Sequence, residues 1–317
     1  MGAELGWFLG GLVLLLLGGD SMVKGASGLA QHFGASAART GLYLLAFATA
    51  VPELAVNGYA VYAGQPELAL GNAVGSNLVN LGLTLGLAAL AAPLLVRMRL
   101  VAVQLVLLLV AGGAVLFFGL DGTLARWEGA VLLAGFVLLL VAFAYRARDE
   151  DPAIHAELAE FAATAPGLSR NVVRVAIAAA VLGLGAYAVV RSAPALGAAI
   201  GFGPLLTGLL PVAIGTALPE IVLAVFAARA GQGNVVAGSV LGASLCNFLV
   251  VLGGMALLSP VAVPASFVGI EVPAAMALTL ALYPLLGGDL RLSRREGGVL
   301  VFLFALWVGY ELVTVWG

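Results

Sequence analysis

Charged residues are scarce in this sequence. Asp, Glu, Lys and Arg make up 9% of its 317 residues, hydrophobic residues make up 62%, and the mean hydropathy is +1.13. Soluble globular domains carry about 25% charged residues. The composition therefore excludes an ordinary water-soluble domain and indicates a polytopic membrane protein. The lipid bilayer is its expected surroundings, and no nucleic-acid partner is expected.

Cysteine and histidine are also scarce. Cys246 is the one cysteine, so the chain can form neither an internal disulfide nor a Cys-based metal site. The two histidines, His32 and His155, lie outside the expected membrane midplane, so soft metals are poorly served. No nucleophile and base pair and no nucleotide-binding loop is recognisable. We therefore expect neither an enzyme nor a bound cofactor.

Long apolar stretches recur along the chain. A helix of about 20 residues crosses the roughly 30 Å of hydrocarbon in a bilayer. The N-terminal stretch lacks a basic region and a cleavage site, so it is interpreted as the first span and not as a signal peptide. The sequence predicts an all-α protein with ten spans, at about 5–30, 38–64, 67–93, 100–119, 127–146, 171–196, 203–231, 233–258, 263–286 and 295–316.

Arginine is distributed unevenly between the two predicted faces. Among the connections between the predicted spans, Arg126 alone falls at one face. The positive-inside rule makes the other face cytoplasmic, with both termini outside the cytoplasm in a cell (inner) membrane. That arginine-rich face carries Arg39, Arg97, Arg99, Arg146, Arg148, Arg170, Arg174, Arg229, Arg291, Arg294 and Arg295.

The chain repeats itself at a constant offset of 167 residues. TGLYLLAFATAVPELAVNGYAVYAGQPELALGNAVGSNLVN aligns without a gap on TGLLPVAIGTALPEIVLAVFAARAGQGNVVAGSVLGASLCN. We predict a first five-helix repeat at 1–145, a cytoplasmic loop at 146–170 and a second five-helix repeat at 171–317. Since five is odd, the repeats are expected to be inverted, an architecture that places substrate sites near the membrane midplane.

Each repeat places a proline and a carboxylate inside an apolar span. Pro52 precedes Glu53, and Pro219 precedes Glu220. Proline frees helix carbonyls, which are tolerated within a membrane only where protein, water or an ion satisfies them. An intramembrane carboxylate indicates an ion pathway. Two carboxylates, carbonyls of the broken helices and nearby amides are hard oxygen ligands that suit Ca2+. The candidate amides are those of Asn80 and Asn247, one span later in each repeat.

Plainer interpretations apply to the isolated features. A single proline kink or buried Glu is ordinary in membrane helices, and only the repetition argues against it. Asp20 and Lys24 are four residues apart and predict a local ion pair. Glu271 and Glu311 predict membrane-boundary or packing groups. Asp149, Glu150, Asp151, Glu157 and Glu160 predict a solvated loop, with a regulatory cation site as the alternative.

The paired motifs resemble those of the sodium/calcium exchanger family. Its repeats read close to GTSLPEL and GNVIGSNIFN, where this chain has ATAVPEL with GNAVGSN and GTALPEI with GSVLGAS. The resemblance implies that Glu53 and Glu220 bind Ca2+ and Na+ in turn. It implies that Thr49 and Thr216 supply backbone oxygens to Ca2+, that the Ala46 and Ala213 carbonyls help to hold Na+, and that Asn80 and Asn247 flank the site.

The chain departs from the family where hydroxyls bind Na+. Ala50, Ala217 and Ala243 replace three serines, whereas Ser76 is kept. The hypothesis is a Ca2+ antiporter with Na+ as the monovalent counter-ion, working by alternating access and needing no oligomer. The alternative is an H+/Ca2+ exchanger of the same fold, in which Glu protonation is the counter-reaction. A cation channel and a membrane scaffold are less favoured.

Overall fold

The computed structural model describes residues 1–47, 50–97, 99–146, 151–165, 167–283 and 291–316. The described residues up to 161 form helices and two short strands joined by turns. In order it forms α1 (Gly2–His32), α2 (Ala37–Phe47), α3 (Val51–Tyr62), α4 (Pro66–Ala91), β1 (Leu94–Leu95), α5 (Arg99–Phe118), β2 (Thr123–Leu124), α6 (Arg126–Arg146) and α7 (Pro152–Phe161).

The rest of the chain follows a similar order, with one helix where the first half has α2 and α3. It forms α8 (Leu168–Ala199), α9 (Pro204–Arg229), α10 (Gly233–Leu258), β3 (Val261–Ala262), α11 (Phe267–Ala281), β4 (Arg291–Leu292) and α12 (Arg294–Trp316). Short π-helical segments interrupt the α-helical pattern at Val79–Thr84, Gly208–Val212, Asn247–Val251 and Phe267–Glu271.

Eight helices within the described ranges are long and apolar enough to cross a membrane. The other two predicted spans correspond to shorter helices. The span at 38–64 contains α2 and α3, of 11 and 12 residues. The span at 263–286 contains the shorter apolar helix Phe267–Ala281, and residues 284–290 are not described.

Two short antiparallel strand pairs join the halves. Leu94 pairs with Leu292 in β1 and β4, and Leu124 pairs with Val261 in β2 and β3. The offset of 167 relates Leu94 to Val261 and Leu124 to Arg291. Each pair therefore joins a connection of one half to the non-equivalent connection of the other. The sequence did not predict these strands, because two residues are too few for an alternating pattern.

Turn geometry repeats at the same offset. Gly64 has φ +72° and Gly231 has φ +80°, in the left-handed region that glycine adopts without steric cost. Gln65 N–H donates to the Ala60 carbonyl at 2.8 Å, and Gln232 N–H donates to the Ala227 carbonyl at 2.9 Å. The same helix-ending turn thus leads from α3 to α4 and from α9 to α10.

Glycine permits the closest helix contacts. A methyl group at Gly18 would lie 2.8 Å from Cγ of Leu182, and one at Gly185 would lie 3.0 Å from Cγ of Leu15. These contacts pack α1 against α8. The two contacts are equivalent, since the offset of 167 relates Gly18 to Gly185 and Leu15 to Leu182. Helices α4 and α10 form the centre of the protein. Within an apolar stretch of 18 residues in each helix, 83% of the residues are buried in α4 and 94% in α10.

The two proline motifs differ in local structure. Pro52 lies in the first turn of α3, where its missing N–H breaks no helical hydrogen bond. Pro219 instead lies inside α9, in the part from Ala213 to Arg229 that is α-helical without interruption. The expectation that the second motif helix is broken at its proline is therefore wrong. Its irregularity lies earlier, in the π segment Gly208–Val212 that contains Pro211.

Candidate cation-binding site

Glu53 is fully buried in the first turn of α3. Its side chain is 0% exposed, and neither carboxylate oxygen accepts a hydrogen bond from another described residue. A buried carboxylate that lacks a partner is strongly unfavourable unless a cation or a proton compensates its charge. Glu53 therefore has the environment of a cation ligand, and not that of a satisfied packing residue.

Glu220 of α9 lies close to Glu53. Glu220 is 4% exposed, and it lies within electrostatic range of Glu53. The thiol of Cys246, in α10, lies within the same range of both carboxylates. Equivalent carboxylates from the two halves thus share one buried region, where like charges repel strongly because water does not screen them. A divalent cation between them would offset both charges.

Asn80 and Asn247 lie at equivalent irregularities of α4 and α10. Asn80 is in the π segment Val79–Thr84, and Asn247 begins the π segment Asn247–Val251. Both are 0% exposed. Asn247 Nδ2 donates to Asn77 Oδ1 at 3.2 Å, which leaves Asn247 Oδ1 with no hydrogen bond from a described residue. An amide oxygen in this state is available to a hard cation.

A polar network joins α9 to α4. Thr216 Oγ1 donates to the Ala213 carbonyl at 3.2 Å and lies 3.4 Å from Asn72 Oδ1. Ser76 Oγ lies 3.5 Å from the same oxygen. Asn72 Nδ2 in turn donates to Asn57 Oδ1 at 3.0 Å, which extends the network to α3. The network thus links side chains that stand one helical turn from each motif glutamate, since Asn57 follows the first glutamate by four residues and Thr216 precedes the second by four.

The remaining candidate ligands are only partly described. Ala46 lies in the last turn of α2, and Thr49 lies outside the described residues. Asn57, Asn72, Asn77 and Cys246 were not chosen as site residues from the sequence. Asn72 and Asn77 stand within the motif GNAVGSN, so their position in that motif was the available signal.

Two of the three alanines that replace family serines share one buried cluster. Ala50, Ala243 and Cys246 form one buried cluster, and Leu54 and Val250 pack against it. This cluster brings the start of α3 against α10. The two missing hydroxyls therefore belong to one local surface, which is apolar here.

The site is poor in charge and rich in oxygen. No group of three or more His, Cys, Asp or Glu side chains that could hold a metal occurs in the part of the chain that is described. The available ligands are two carboxylates, amide oxygens and hydroxyls. Such hard oxygen donors fit Ca2+ or Na+ better than Zn2+ or Cu2+, which prefer nitrogen and sulfur.

Comparison with known proteins identifies the family. The sequence model of the sodium/calcium exchanger protein family matches this chain twice, at residues 3–145 and 171–313. The chain belongs to the sodium/calcium exchanger family. It is thus an integral multi-pass membrane protein and a transporter of the cation-antiporter type, as the repeated motifs indicated.

Relatives in this family match the chain over nearly its whole length. CaxA of Alkalimonas amylolytica is 33% identical over 307 residues, which cover 95% of each chain. The sodium/calcium exchanger MaX1 of Methanosarcina acetivorans is 26% identical in an alignment of 339 positions, which covers 93% of this chain and 94% of MaX1. A structure of the sodium-calcium exchanger NCX_Mj is similar with a TM-score of 0.68 and 26% identity, covering 97% of this chain and 98% of that chain.

Proposed function

We propose that this protein exchanges Ca2+ for Na+ across the cell membrane by alternating access. The observation that carries the proposal is the pair Glu53 and Glu220, buried together and drawn from equivalent positions of the two halves. One Ca2+ neutralises both carboxylates. Two Na+ ions can do the same, so either cargo can occupy the site.

Exchange is obligatory in this proposal because the empty site carries two like charges. Moving those charges through a low-dielectric barrier without a cation is unfavourable. The loaded protein therefore changes conformation more readily than the empty one. This coupling distinguishes an antiporter from a channel, in which cations would move without a counter-ion.

The proposed architecture has two inverted five-helix repeats, at 1–145 and 171–317. The double match to the family model, the exchanged strand pairs and the repeated turn glycines support it. We take the arginine-rich face, which also carries residues 146–170, as cytoplasmic because of the positive-inside rule. Both termini then lie outside the cytoplasm.

Competition binding tests whether both cations use one site. Purified protein is titrated with Ca2+ at several Na+ concentrations at constant ionic strength, with choline as the replacement cation. We expect the apparent Kd for Ca2+ to rise steadily with Na+ and the number of Ca2+ bound at saturation to stay unchanged. A Ca2+ affinity that is indifferent to Na+ would argue against shared ligands.

Proton-coupled Ca2+ exchange is the second candidate function. The apolar cluster that contains Ala50 and Ala243 favours it, because this surface supplies no hydroxyl for Na+. Protons need no such ligands and could neutralise Glu53 and Glu220 directly. In the Na+-coupled proposal, carbonyl oxygens, amide oxygens and water replace the missing hydroxyls.

Restoring the hydroxyls is expected to strengthen Na+ binding. The double variant Ala50→Ser and Ala243→Ser should lower the Na+ concentration that half-inhibits Ca2+ binding about fivefold, the effect of about 1 kcal/mol from a new polar contact. Ala88→Ser is the matched control. Ala88 is also fully buried but lies in α4, so its replacement should leave the half-inhibiting Na+ concentration unchanged. Equal shifts in both proteins would show that the cluster does not face the Na+ site.

A further inference from the structure

A cavity leads from Glu220 toward the arginine-rich face. It has a volume of about 390 Å3, lies between α1 and α9, and is lined by Pro219, Glu220 and Phe226 on the α9 side. Asp20 and Lys24 of α1 line it as well, together with residues 161–164 of the segment between the two halves. The cavity therefore joins a site carboxylate to the face on which that segment lies.

The segment that walls the cavity is fixed to the helices around it. Ser27 Oγ and Gln31 Nε2 donate to the Ala162 carbonyl at 2.5 and 2.8 Å. The Glu157 carboxylate of α7 accepts from Asn234 Nδ2 at 2.7 Å and from Val235 N–H at 3.2 Å, at the start of α10. The prediction that Glu157 belongs to a solvated loop is thus wrong. The cavity has a structured wall at this face.

Asp20 and Lys24 form an ion pair on the cavity wall. Lys24 Nζ lies 2.8 Å from Asp20 Oδ1, and their side chains are 55% and 56% exposed. The sequence prediction of a local ion pair is confirmed. Pairs of this exposure contribute about 0–1 kcal/mol, so a divalent cation can displace the lysine from the aspartate at little cost.

The equivalent positions on the opposite face are occupied by aromatic residues that contact each other. The offset of 167 relates Asp20 to Tyr187, and Phe226 to Tyr59. The rings of Tyr59 and Tyr187 contact each other edge to face, with centroids 5.8 Å apart. By contrast, Asp20 and Phe226 both line the open cavity, and Phe226 is 65% exposed. The two faces thus differ in packing: Asp20 and Phe226 line the cavity next to Glu220, whereas their equivalents Tyr187 and Tyr59 contact each other.

The charge on the two paths also differs. Arg191, at the position equivalent to Lys24, donates to the Tyr187 hydroxyl at 2.6 Å and lies over the Trp7 ring, 5.7 Å from its centroid. Toward the opposite face, the positions equivalent to Asp20 and Lys24 are thus held by Tyr187 and Arg191, and Arg191 lies over Trp7. Toward the arginine-rich face, the same positions hold a carboxylate and its counter-ion. A cation that approaches from the arginine-rich face passes a carboxylate before it reaches Glu220.

We propose that Asp20 is a cation-capture residue on the path from the arginine-rich face to Glu220, and that Lys24 is its displaceable counter-ion. The inference rests on the proposed function, because it concerns access to the same site. Asp20 raises the local Ca2+ concentration in the cavity, and Lys24 limits this effect by competing for the carboxylate. The path from the opposite face has no such step at the equivalent position.

Ca2+ transport measured from each face separately tests the inference. Membrane vesicles of both orientations carry the wild type, Asp20→Asn, Lys24→Gln or the matched control Arg191→Gln. At the arginine-rich face, Asp20→Asn should raise the half-saturating Ca2+ concentration about threefold or more. This is less than the roughly tenfold or greater concentration of ions by a cleft that is lined with charges of one sign. Lys24→Gln should lower it. Neither should change the value at the opposite face, and Arg191→Gln should leave the value at the arginine-rich face unchanged.

The signs separate capture from a structural role. Loss of a structural ion pair would shift both variants in the same direction, and that result would overturn the inference. So would an equal effect of Asp20→Asn at both faces, or no effect. A wild type that transports no Ca2+ in any vesicle would instead refute the proposed function.

Thiol labelling tests whether water fills the cavity without relying on transport. Asp20→Cys protein should react with a charged, membrane-impermeant thiol reagent added at the arginine-rich face, and not when it is added at the opposite face. The wild type is the control, since its one cysteine, Cys246, is buried. Failure of the variant to react from either face would place residue 20 away from water and overturn the proposed path.

Discussion

Glu53→Gln is expected to abolish Ca2+ transport. Gln keeps the shape of the side chain and removes one of the two charges that the proposed site offers to Ca2+. A charge pair at 4 Å is worth about 4 kcal/mol at an effective dielectric constant of about 20. Transport at a fixed low Ca2+ concentration should therefore fall at least about a hundredfold. Radioactive Ca2+ uptake into proteoliposomes measures it.

Glu67→Gln provides the control for this loss. Glu67 is exposed at the start of α4, so the same chemical change there should leave transport near the wild-type rate. Glu53→Gln should also unfold at the wild-type temperature or above, because it removes repulsion with Glu220. Transport by Glu53→Gln at the wild-type rate would refute the assignment of the site.

Gly75→Leu is expected to separate α4 from α9 and inactivate the protein. A side chain at Gly75 would overlap the carbonyl oxygen of Leu209, in the π segment that precedes Ala213 and Thr216. Backbone cannot yield as a side-chain tip can, so we expect a destabilisation of about 3 kcal/mol or more. Thermal unfolding of the purified protein and Ca2+ uptake should both report the change.

Gly113→Leu is the matched control for this substitution. Gly113 lies within α5, and a Cβ there would meet no atom within 4 Å. It should therefore unfold and transport as the wild type does. Equal unfolding temperatures for Gly75→Leu and Gly113→Leu would show that the close approach of α4 and α9 contributes little to stability.

Much of the fold was predictable because the sequence contains an internal repeat. The offset that relates Glu53 to Glu220 also relates the turn glycines Gly64 and Gly231, whose positive φ values agree within ten degrees. Membrane spans were predictable for a simpler reason, since hydrocarbon selects long apolar helices. The sequence pattern was therefore informative wherever local composition determines the backbone.

Other features depend on contacts that local composition does not record. Pro219 continues a helix whereas Pro52 begins one, although both stand in nearly the same motif. The open cavity beside Glu220 and the aromatic contact between Tyr59 and Tyr187 break the symmetry that the repeat leads one to expect. One sequence can adopt several such packings in a transporter, so its pattern does not specify one of them.

The two motif glutamates stand out in the sequence as candidate ligands, whereas the polar network that joins α4 to α9 does not. Two carboxylates in apolar surroundings are unmistakable, and the structure buries both. Asn72 was missed because its role depends on Thr216, 144 residues away, and on Asn57. Cys246 is buried, and its proximity to both glutamates follows only from tertiary packing.

Ca2+ flux in proteoliposomes under two separate gradients tests the central proposal most directly. One set has a Na+ gradient at equal pH on both sides, and the other has a pH gradient without Na+. We predict that the Na+ gradient drives Ca2+ against its own gradient and that the pH gradient does not. Uptake driven by the pH gradient alone would contradict Na+ coupling and make the protein an H+/Ca2+ exchanger.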